Sequence, residues 1–387
     1  MAEFTLPGKI ITGEGALVEA GSSIAKLGKK ALVITGKHVG RLENMKELQK
    51  ILEQYQIQYI VFDGITGEPT DTMIEEGVRI YKKNHCDFCI GIGGGSPLDS
   101  AKAIAAMSTG TKKISDYNGK AIEQALPPVV AIPTTAGTGS EATKFTIITD
   151  TEKNIKMLLK GDVLLPSLAI VDSHFSISTP QSVTAATGLD ALTHAVEAYT
   201  SKKAQPLTDV YAVSAVRRIL HWLPKAYRDG EDRTARSEMA QAALEAGICI
   251  NNSSVTIVHG MSRPIGALFH VPHGISNAML LCTCLKNVAD GAMERFARLS
   301  RESGIADEHD RDEEAVKMLF QKLDEICRIC NVPTLQEYGI KKRAYMESID
   351  KMTDDAIASG SPGNCIKSVS AKDIRRIYKE VWNDKNE

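Results

Sequence analysis

Between Lys30 and Asp172 the chain alternates short, almost continuous apolar runs with segments of helical spacing, and this alternation limits the fold more than any other feature. The runs are Ala31–Thr35, Tyr59–Phe62, Phe88–Ile92, Val129–Ile132 and Leu168–Val171. Runs without polar interruption suit parallel strands covered on both faces, because a strand with one wet face alternates instead. Val39–Gln54 and Asp71–Lys83 place apolar residues at helical spacing and charges outward. A doubly wound α/β domain is expected. Thr143–Leu159 reads as a hairpin added to it, turning through Thr149–Asn154.

Past Ser178 the strand pattern ends. Helical patterns continue as Thr179–Ser201, Leu207–Arg228, Thr234–Asn251, Ser253–Phe269, Gly274–Val288, Ala292–Ser303, Glu313–Cys330 and Ala371–Trp382. Two domains are expected, residues 1–178 (α/β) and 179–387 (all-helical), joined near Ser176–Pro180. A cleft between such halves is the usual place for a ligand site.

Composition removes several functions. A formal net charge of −2 without a basic run argues against nucleic acid or an anionic membrane as partner. No apolar run is long enough to span a bilayer, and the N-terminus lacks a signal peptide's apolar core, so a cytoplasmic protein is expected. Eight cysteines in 387 residues are too few for a disulfide scaffold. Cys86–Cys89 and Cys327–Cys330 have C-x-x-C spacing, but the gap between the pairs far exceeds that of a zinc ribbon. Buried structural thiols are expected at both.

Two loops sit where a nucleotide would bind. Gly91-Ile-Gly-Gly-Gly-Ser-Pro-Leu-Asp-Ser-Ala-Lys102 follows the third run and opens a helix. Its glycines admit close approach of backbone N–H groups, and a helix N-terminus favours an anion. Ser96 stands where the strict dinucleotide fingerprint has its last glycine, so a plain tight turn is the competing reading. Pro133-Thr-Thr-Ala-Gly-Thr-Gly-Ser-Glu141 follows the next run and offers small hydroxyls. A Ser/Thr-rich turn with local hydrogen bonds would look the same.

The helical half carries Gly188-Leu-Asp-Ala-Leu-Thr-His-Ala-Val-Glu-Ala-Tyr199. On a helix Asp190 and His194 lie on one face a turn apart, a spacing that can grip a divalent metal. Further ligands must come from elsewhere, and Val258–Gly274 holds His259, His270 and His273. An Asp capping a turn beside a half-buried His is the bland alternative.

Taken in order, Gly93-Gly-Gly-Ser-Pro-x-Asp-x-x-Lys102, Pro133-Thr-Thr-Ala-Gly-Thr138, Gly188-x-Asp-Ala-x-x-His194-x-x-Glu197 and His259…His273-Gly274 resemble the motifs of the iron-dependent (group III) alcohol dehydrogenases. Pro7–Ala16 is similar to that family's first strand, so the resemblance runs from near residue 5 to about 290 and more weakly beyond. It implies a Rossmann-like dinucleotide-binding domain, an all-helical metal-binding domain, a catalytic divalent metal in the cleft, and a homodimer. Carried over by residue, it implies Asp190, His194, His259 and His273 as metal ligands. Three imidazoles and a carboxylate accept Fe²⁺ or Zn²⁺, and iron is the family expectation. Glu197 becomes a partner for an imidazole N–H. Gly93, Gly94, Gly95 and Ser96 would hold the pyrophosphate, with Asp99, Thr134, Thr135 and Thr138 along the rest of the cofactor. The implied reaction is Lewis-acid activation of a small alcohol or aldehyde and hydride transfer to or from a nicotinamide.

Two residues depart from the family pattern. Gly36, after the first run, stands where an Asp often reads the ribose; without that carboxylate, and with Lys37 and Arg41 nearby, NADP(H) is favoured over NAD(H). Arg263, four residues after His259, replaces a histidine associated with proton relay. Arginine stays protonated and cannot be a general base. Proton transfer then needs water, a cofactor hydroxyl or a group such as His270. Arg263 itself either meets an anionic group on the substrate or pairs with a structural carboxylate. The competing functions are a dehydroquinate-synthase-like lyase on the same fold and an inactive nucleotide-binding regulator.

Overall fold

A computed structural model describes residues 2–383 apart from Leu42, Thr111, Asn154 and Ser178. The chain divides into two units, Thr5–Thr179 and a second that starts at Pro180 and takes in the chain before Thr5.

The first unit has a six-stranded sheet. In chain order its strands are β1 (Ile10–Thr12), β2 (Lys30–Ile34), β3 (Gln58–Phe62), β4 (Phe88–Gly93), β5 (Val129–Pro133) and, after a hairpin, β8 (Leu168–Val171). They lie in the order β1-β8-β5-β4-β2-β3, and every pairing is parallel. Helices α1 (Ala16–Ile24), α2 (Glu43–Gln54), α3 (Asp71–Lys83) and α4 (Gly95–Thr109) connect them. Two buried apolar clusters result. Leu32, Ile34, Ile74 and Ile104 belong to one, and Val33, Leu48, Ile90 and Ile170 to the other. Alternate residues of β2 thus enter different cores, which is why its sequence reads as an unbroken apolar run.

One local expectation in this unit needs correcting. The expected helix Val39–Gln54 is a 3-10 turn at Val39–Arg41 followed by α2, because Gly40 and β-branched Val39 are poor helix formers. Helix α1 is not among the helical patterns of the sequence, and Gly21 interrupts it. The hairpin expected over Thr143–Leu159 is present as β6 (Phe145–Asp150) and β7 (Ile155–Lys160), an antiparallel sheet of its own within this unit. It is tied to α4 by side chains: Ile147 N–H donates to Asp99 Oδ2 at 2.8 Å, and Lys102 Nζ donates to the Phe145 carbonyl at 2.9 Å.

The second unit contains, among the described residues, only helical elements as regular structure. These are α5 (Gln181–Tyr199), α6 (Pro206–Arg228), α7 (Arg233–Asn252), α8 (Ile257–Phe269), α9 (His273–Lys286), α10 (Met293–Glu302), α11 (Asp312–Ile329), α12 (Lys342–Ala358) and α13 (Ala371–Asn383). Phe4, from the other end of the chain, stacks on Tyr211 with ring centroids 6.1 Å apart. Helix α12 is absent from the sequence reading. Its apolar positions Tyr345, Ile349, Met352 and Ala356 are helically spaced and buried, but charges between them dilute the pattern. Helix α8 starts at Ile257 instead of Ser253, since Thr256 is outside the helical region and its hydroxyl reaches Glu197. All eight cysteines are buried and none is in a disulfide, as expected of structural thiols.

Candidate metal centre and nucleotide loop

Helices α5, α8 and α9 build the centre. Glu197, in the last turn of α5, caps the start of α8: its Oε1 accepts from Thr256 Oγ1 at 2.7 Å and from Val258 N at 2.6 Å. The first N–H groups of a helix have no partner within it, and a carboxylate answers both that need and the dipole. The other oxygen, Oε2, lies 2.5 Å from His259 Nδ1. Burial raises the Glu197 carboxyl, but His259 and the Thr256 hydroxyl outweigh it and hold it below its ordinary value. Ionised, Glu197 only accepts, so His259 donates from Nδ1 and turns the lone pair of Nε2 the other way.

That lone pair faces Asp190. His194, His259 and His273 bring their Nε2 atoms to 3.8, 3.6 and 3.7 Å from one atom, Asp190 Oδ1. These separations exceed a hydrogen bond. They suit donors around one shared ion, since ligand bonds of ~2.0–2.2 Å place tetrahedral donors ~3.4 Å apart. The donor atoms of Asp190, His259 and His273 all lie within 4.8 Å of one another. His194 joins through Asp190, and its ring stacks on that of His259 with centroids 4.6 Å apart. The donor set therefore fits a divalent cation of borderline softness.

Gly274 explains how α9 comes so near. A Cβ there would sit 2.1 Å from the Ala186 carbonyl oxygen of α5, so any side chain would push His273 away from Asp190. His273 is the open side of the centre, with 39% of its side chain exposed, against 4% for Asp190 and 2% for His259. Burial acts first to raise the Asp190 carboxyl, yet the three imidazoles hold it far below the carboxylate range. Surrounding protein pushes His273 down to about 3, with His259, Arg263 and His194 adding to burial.

Asn277 is a member of this centre that the sequence reading missed. Its fully buried amide donates from Nδ2 to Asp190 Oδ1 at 2.7 Å and lies 3.2 and 3.3 Å from Nε2 of His259 and His273. The Ser262 hydroxyl is bonded to its Oδ1 and fixes which way the amide faces. The available signal was position: Asn277 is four residues after His273 on the same helix face. His270 is exposed and left-handed (φ 54°) at the end of α8, and its carbonyl accepts from Tyr338 Oη at 3.2 Å. Among the described residues it makes no hydrogen bond, ion pair or ring contact with the four donors. Arg263, one turn past His259, donates from Nη1 to Ser361 Oγ at 3.1 Å.

In the α/β unit, β3 is added on one side of β2 and β4 on the other, so the strand order reverses between β2 and β4, the switch point where open α/β sheets bind ligands. The loops after β2, β4 and β5 meet there. Thr35 Oγ1 donates to the Ile92 carbonyl at 2.8 Å, and Thr134 N–H donates to the Gly93 carbonyl at 2.8 Å. Gly94 is the N-cap of α4, so Gly95 and Ser96 present unpartnered helix N–H groups. A Cβ on Gly94 would come 3.6 Å from Thr135 Oγ1, and one on Gly95 2.8 Å from Thr138 Cγ2. Asp99, expected along the cofactor, is bonded within the protein. Its oxygens accept from Ser140 Oγ at 2.5 Å and from Ile147 N, so it braces the loop. After β2, Lys37 and Arg41 are exposed. Gly36 bridges Gly64, and a Cβ on it would lie 2.9 Å from the Ile65 carbonyl oxygen.

A glycine turn at the switch point of a parallel sheet, with a convergent carboxylate–imidazole set on helices of the same chain, marks a metal-dependent nicotinamide oxidoreductase. Comparison with known proteins makes this specific. Residues 7–173 match the family model for iron-containing alcohol dehydrogenase, and residues 184–382 match the C-terminal model of the Fe-containing alcohol dehydrogenase family. The chain is 34% identical to an NAD-dependent methanol dehydrogenase from Bacillus methanolicus, over 98% of its own length and 100% of the relative's. It is 31% identical to an NADPH-dependent butanol dehydrogenase from Clostridium saccharobutylicum, over 99% and 98%. The crystal structure of a 1,3-propanediol oxidoreductase superposes with a TM-score of 0.95 at 32% identity, covering 98% of this chain and all of that one. The chain belongs to the iron-containing alcohol dehydrogenase family. It is an enzyme, an oxidoreductase acting on a CH–OH group with a nicotinamide cofactor, and the lyase and regulator alternatives find no support.

Proposed function

We propose that Asp190, His194, His259 and His273 together hold one divalent ion, and that this centre works on a short alcohol or aldehyde whose oxygen enters from the side of His273. The observation that carries the reading is the convergence of three Nε2 atoms on Asp190 Oδ1 at 3.6–3.8 Å. Iron is the metal of the family name, and zinc suits the same donors. When bound, the ion supplies Lewis acidity toward the substrate oxygen. The chain supplies position. Glu197 keeps His259 in the tautomer that faces the centre, and Asn277 turns Asp190. Because His270 faces solvent and Arg263 cannot give up its proton, proton exchange uses water at the open side.

Gly93, Gly94, Gly95 and Ser96 take the pyrophosphate, bordered by Thr134, Thr135 and Thr138, with the cofactor on residues 1–178 and the metal on 179–387. NADP(H) is the favoured cofactor. Gly36 offers no carboxylate to repel a 2′-phosphate, and Lys37 and Arg41 are exposed beside it. The tight contact at Ile65 gives Gly36 a second, steric reason, so Gly36→Asp is a poor probe. A cytoplasmic homodimer completes the reading, supported by eight reduced thiols and by the exposed cross-strand pair Ile147 and Leu158 on the hairpin.

The test is steady oxidation of NADPH and NADH by iron-loaded protein over short, branched and acid-bearing aldehydes, repeated on Lys37→Ala/Arg41→Ala. Turnover should exceed stoichiometry. The double variant should move the kcat/KM ratio toward NADH by at least about tenfold, or 1.4 kcal/mol. An unmoved ratio removes the NADP(H) assignment, and metal-replete protein without turnover removes the reaction.

A further inference from the structure

Arg263 is an arginine with one neutral partner in a place where cations are normally paired. Its only hydrogen bond among the described residues is to the Ser361 hydroxyl, and it has no carboxylate within ion-pair distance. Burial lowers its proton affinity, and Glu197 is the acidic group whose charge offsets this. Glu197 is already committed: one oxygen caps α8 and the other holds His259. The guanidinium has five N–H donors, and those left over are not sealed in protein. A partly buried charge lacking a counter-ion is therefore open to a ligand that supplies one.

Its position says which ligand. Arg263 follows His259 by four residues on α8, about 6 Å along the helix axis. Its charge bears on His273, the exposed member of the centre. Ser361 is itself buried and held next to α8 by Pro362, which lies so close that a Cβ on Gly260 would meet it at 2.6 Å. The guanidinium is therefore fixed at both ends, on α8 and at Ser361. A divalent ion with Asp190 and Glu197 would be charge-neutral, so Arg263 remains as one unmatched positive charge beside the opening.

We propose that Arg263 selects the substrate, binding a carboxylate or similar oxyanion at the far end of a short aldehyde or alcohol whose reacting oxygen lies at the Asp190–His273 centre. The span of about one helical turn suits roughly two to four carbons between the two ends. A carboxylate there accepts two parallel N–H bonds, a geometry that lysine cannot reproduce and an alkyl chain cannot use. This inference rests on the dehydrogenase reading for the reacting end alone.

The experiment has a binding arm and a turnover arm. Ethanesulfonate, an oxyanion with little affinity for metals, is titrated calorimetrically into metal-loaded protein, its Arg263→Met and Arg263→Lys variants, and Ser361→Ala. Saturable binding is expected to weaken ten- to hundredfold in Arg263→Met, the range of a lost charge-assisted hydrogen bond. Arg263→Lys should keep part of it, and Ser361→Ala should lose a few-fold. Should Arg263→Met fail to fold, the lysine and Ser361 variants give the same ranking. In turnover, 4-oxobutanoate should outperform butanal in the unmutated enzyme. The ratio of their kcat/KM values should fall at least tenfold in Arg263→Met, with the change in the KM of the anionic aldehyde. No saturable anion binding, binding undiminished in Arg263→Met, a preference for butanal, or a loss confined to the KM of the nicotinamide cofactor overturns the proposal. Anion binding that depends on Arg263 without turnover of either aldehyde upholds the anion site and rejects the dehydrogenase reading instead.

Discussion

In the helical unit, buried Asp190 and Glu197 are held below their ordinary proton affinities, whereas in the α/β unit buried Asp99 and Glu141 are pushed above theirs and Lys102 is pushed down to about 8. Burial acts in the same direction on all four carboxyls. The difference lies in what faces them. Asp190 sees three imidazoles and an amide. Lys102 Nζ donates to the Thr143 carbonyl, the Thr143 hydroxyl and the Phe145 carbonyl, while Asp99 serves Ser140 and Ile147. In the second cluster the polar atoms of Lys102 and Asp99 are committed to the chain itself, fastening the hairpin to α4. In the first, three imidazole Nε2 atoms surround one oxygen from beyond hydrogen-bonding distance. Charge burial alone does not mark a site; convergence of several ligating atoms on one point does.

The sharpest way to break this contrast is to remove a converging donor. Asp190→Asn or His259→Ala should leave protein that retains little iron or zinc after dialysis, a loss larger than the 10–100-fold typical of outer partners. Elemental analysis of the folded variants decides it, and metal retained at wild-type stoichiometry would show that the convergence is coincidental. Glu197→Gln tests the next ring outward. It keeps the shape of the cap on α8 but weakens the bond that fixes the His259 tautomer, so metal affinity should fall about 10–100-fold while the fold persists. Competitive titration with a chelator reads that change, and an unaltered affinity would confine Glu197 to capping.

Legibility followed the same division. The five long parallel strands were readable because each is buried on both faces and so apolar throughout. Asp190 and His194 were readable because one helix carries both at a fixed spacing, and Glu197 because it continues that face. Asn277 was not, since a lone Asn on an apolar helix has no pattern of its own; only packing of α9 on α5, permitted by Gly274, gives it Asp190 as a partner. The bracing partners of Asp99 were hidden for a related reason. Its sequence neighbours form the glycine turn, yet its oxygens are claimed by Ser140 and Ile147, 41 and 48 residues away. Helix α12 was hidden by its own charged surface.

The smallest effect tests the α/β cluster by pH. Glu141 is raised to about 7 from 4.5, by burial first, against its own backbone N–H and Lys102. Its Oε2 is buried without a hydrogen-bond partner, so the protonated acid is the form this pocket suits. The folded state then binds a proton that the unfolded chain releases near pH 4.5. Stability from this group is fully present below about 4.5 and is lost as pH rises through about 7. Glutamine is neutral and nearly isosteric, so Glu141→Gln should match the parent near pH 4.5 and exceed it by on the order of 1–3 kcal/mol at pH 7.5. That upper limit keeps the measurement below the region where Lys102, at about 8, begins to lose its proton. Urea unfolding of both proteins at several pH values reads the gap. Curves that stay parallel would mean that Glu141 remains ionised in the fold, and the α/β cluster would then resemble the metal centre in charge while differing from it only in geometry.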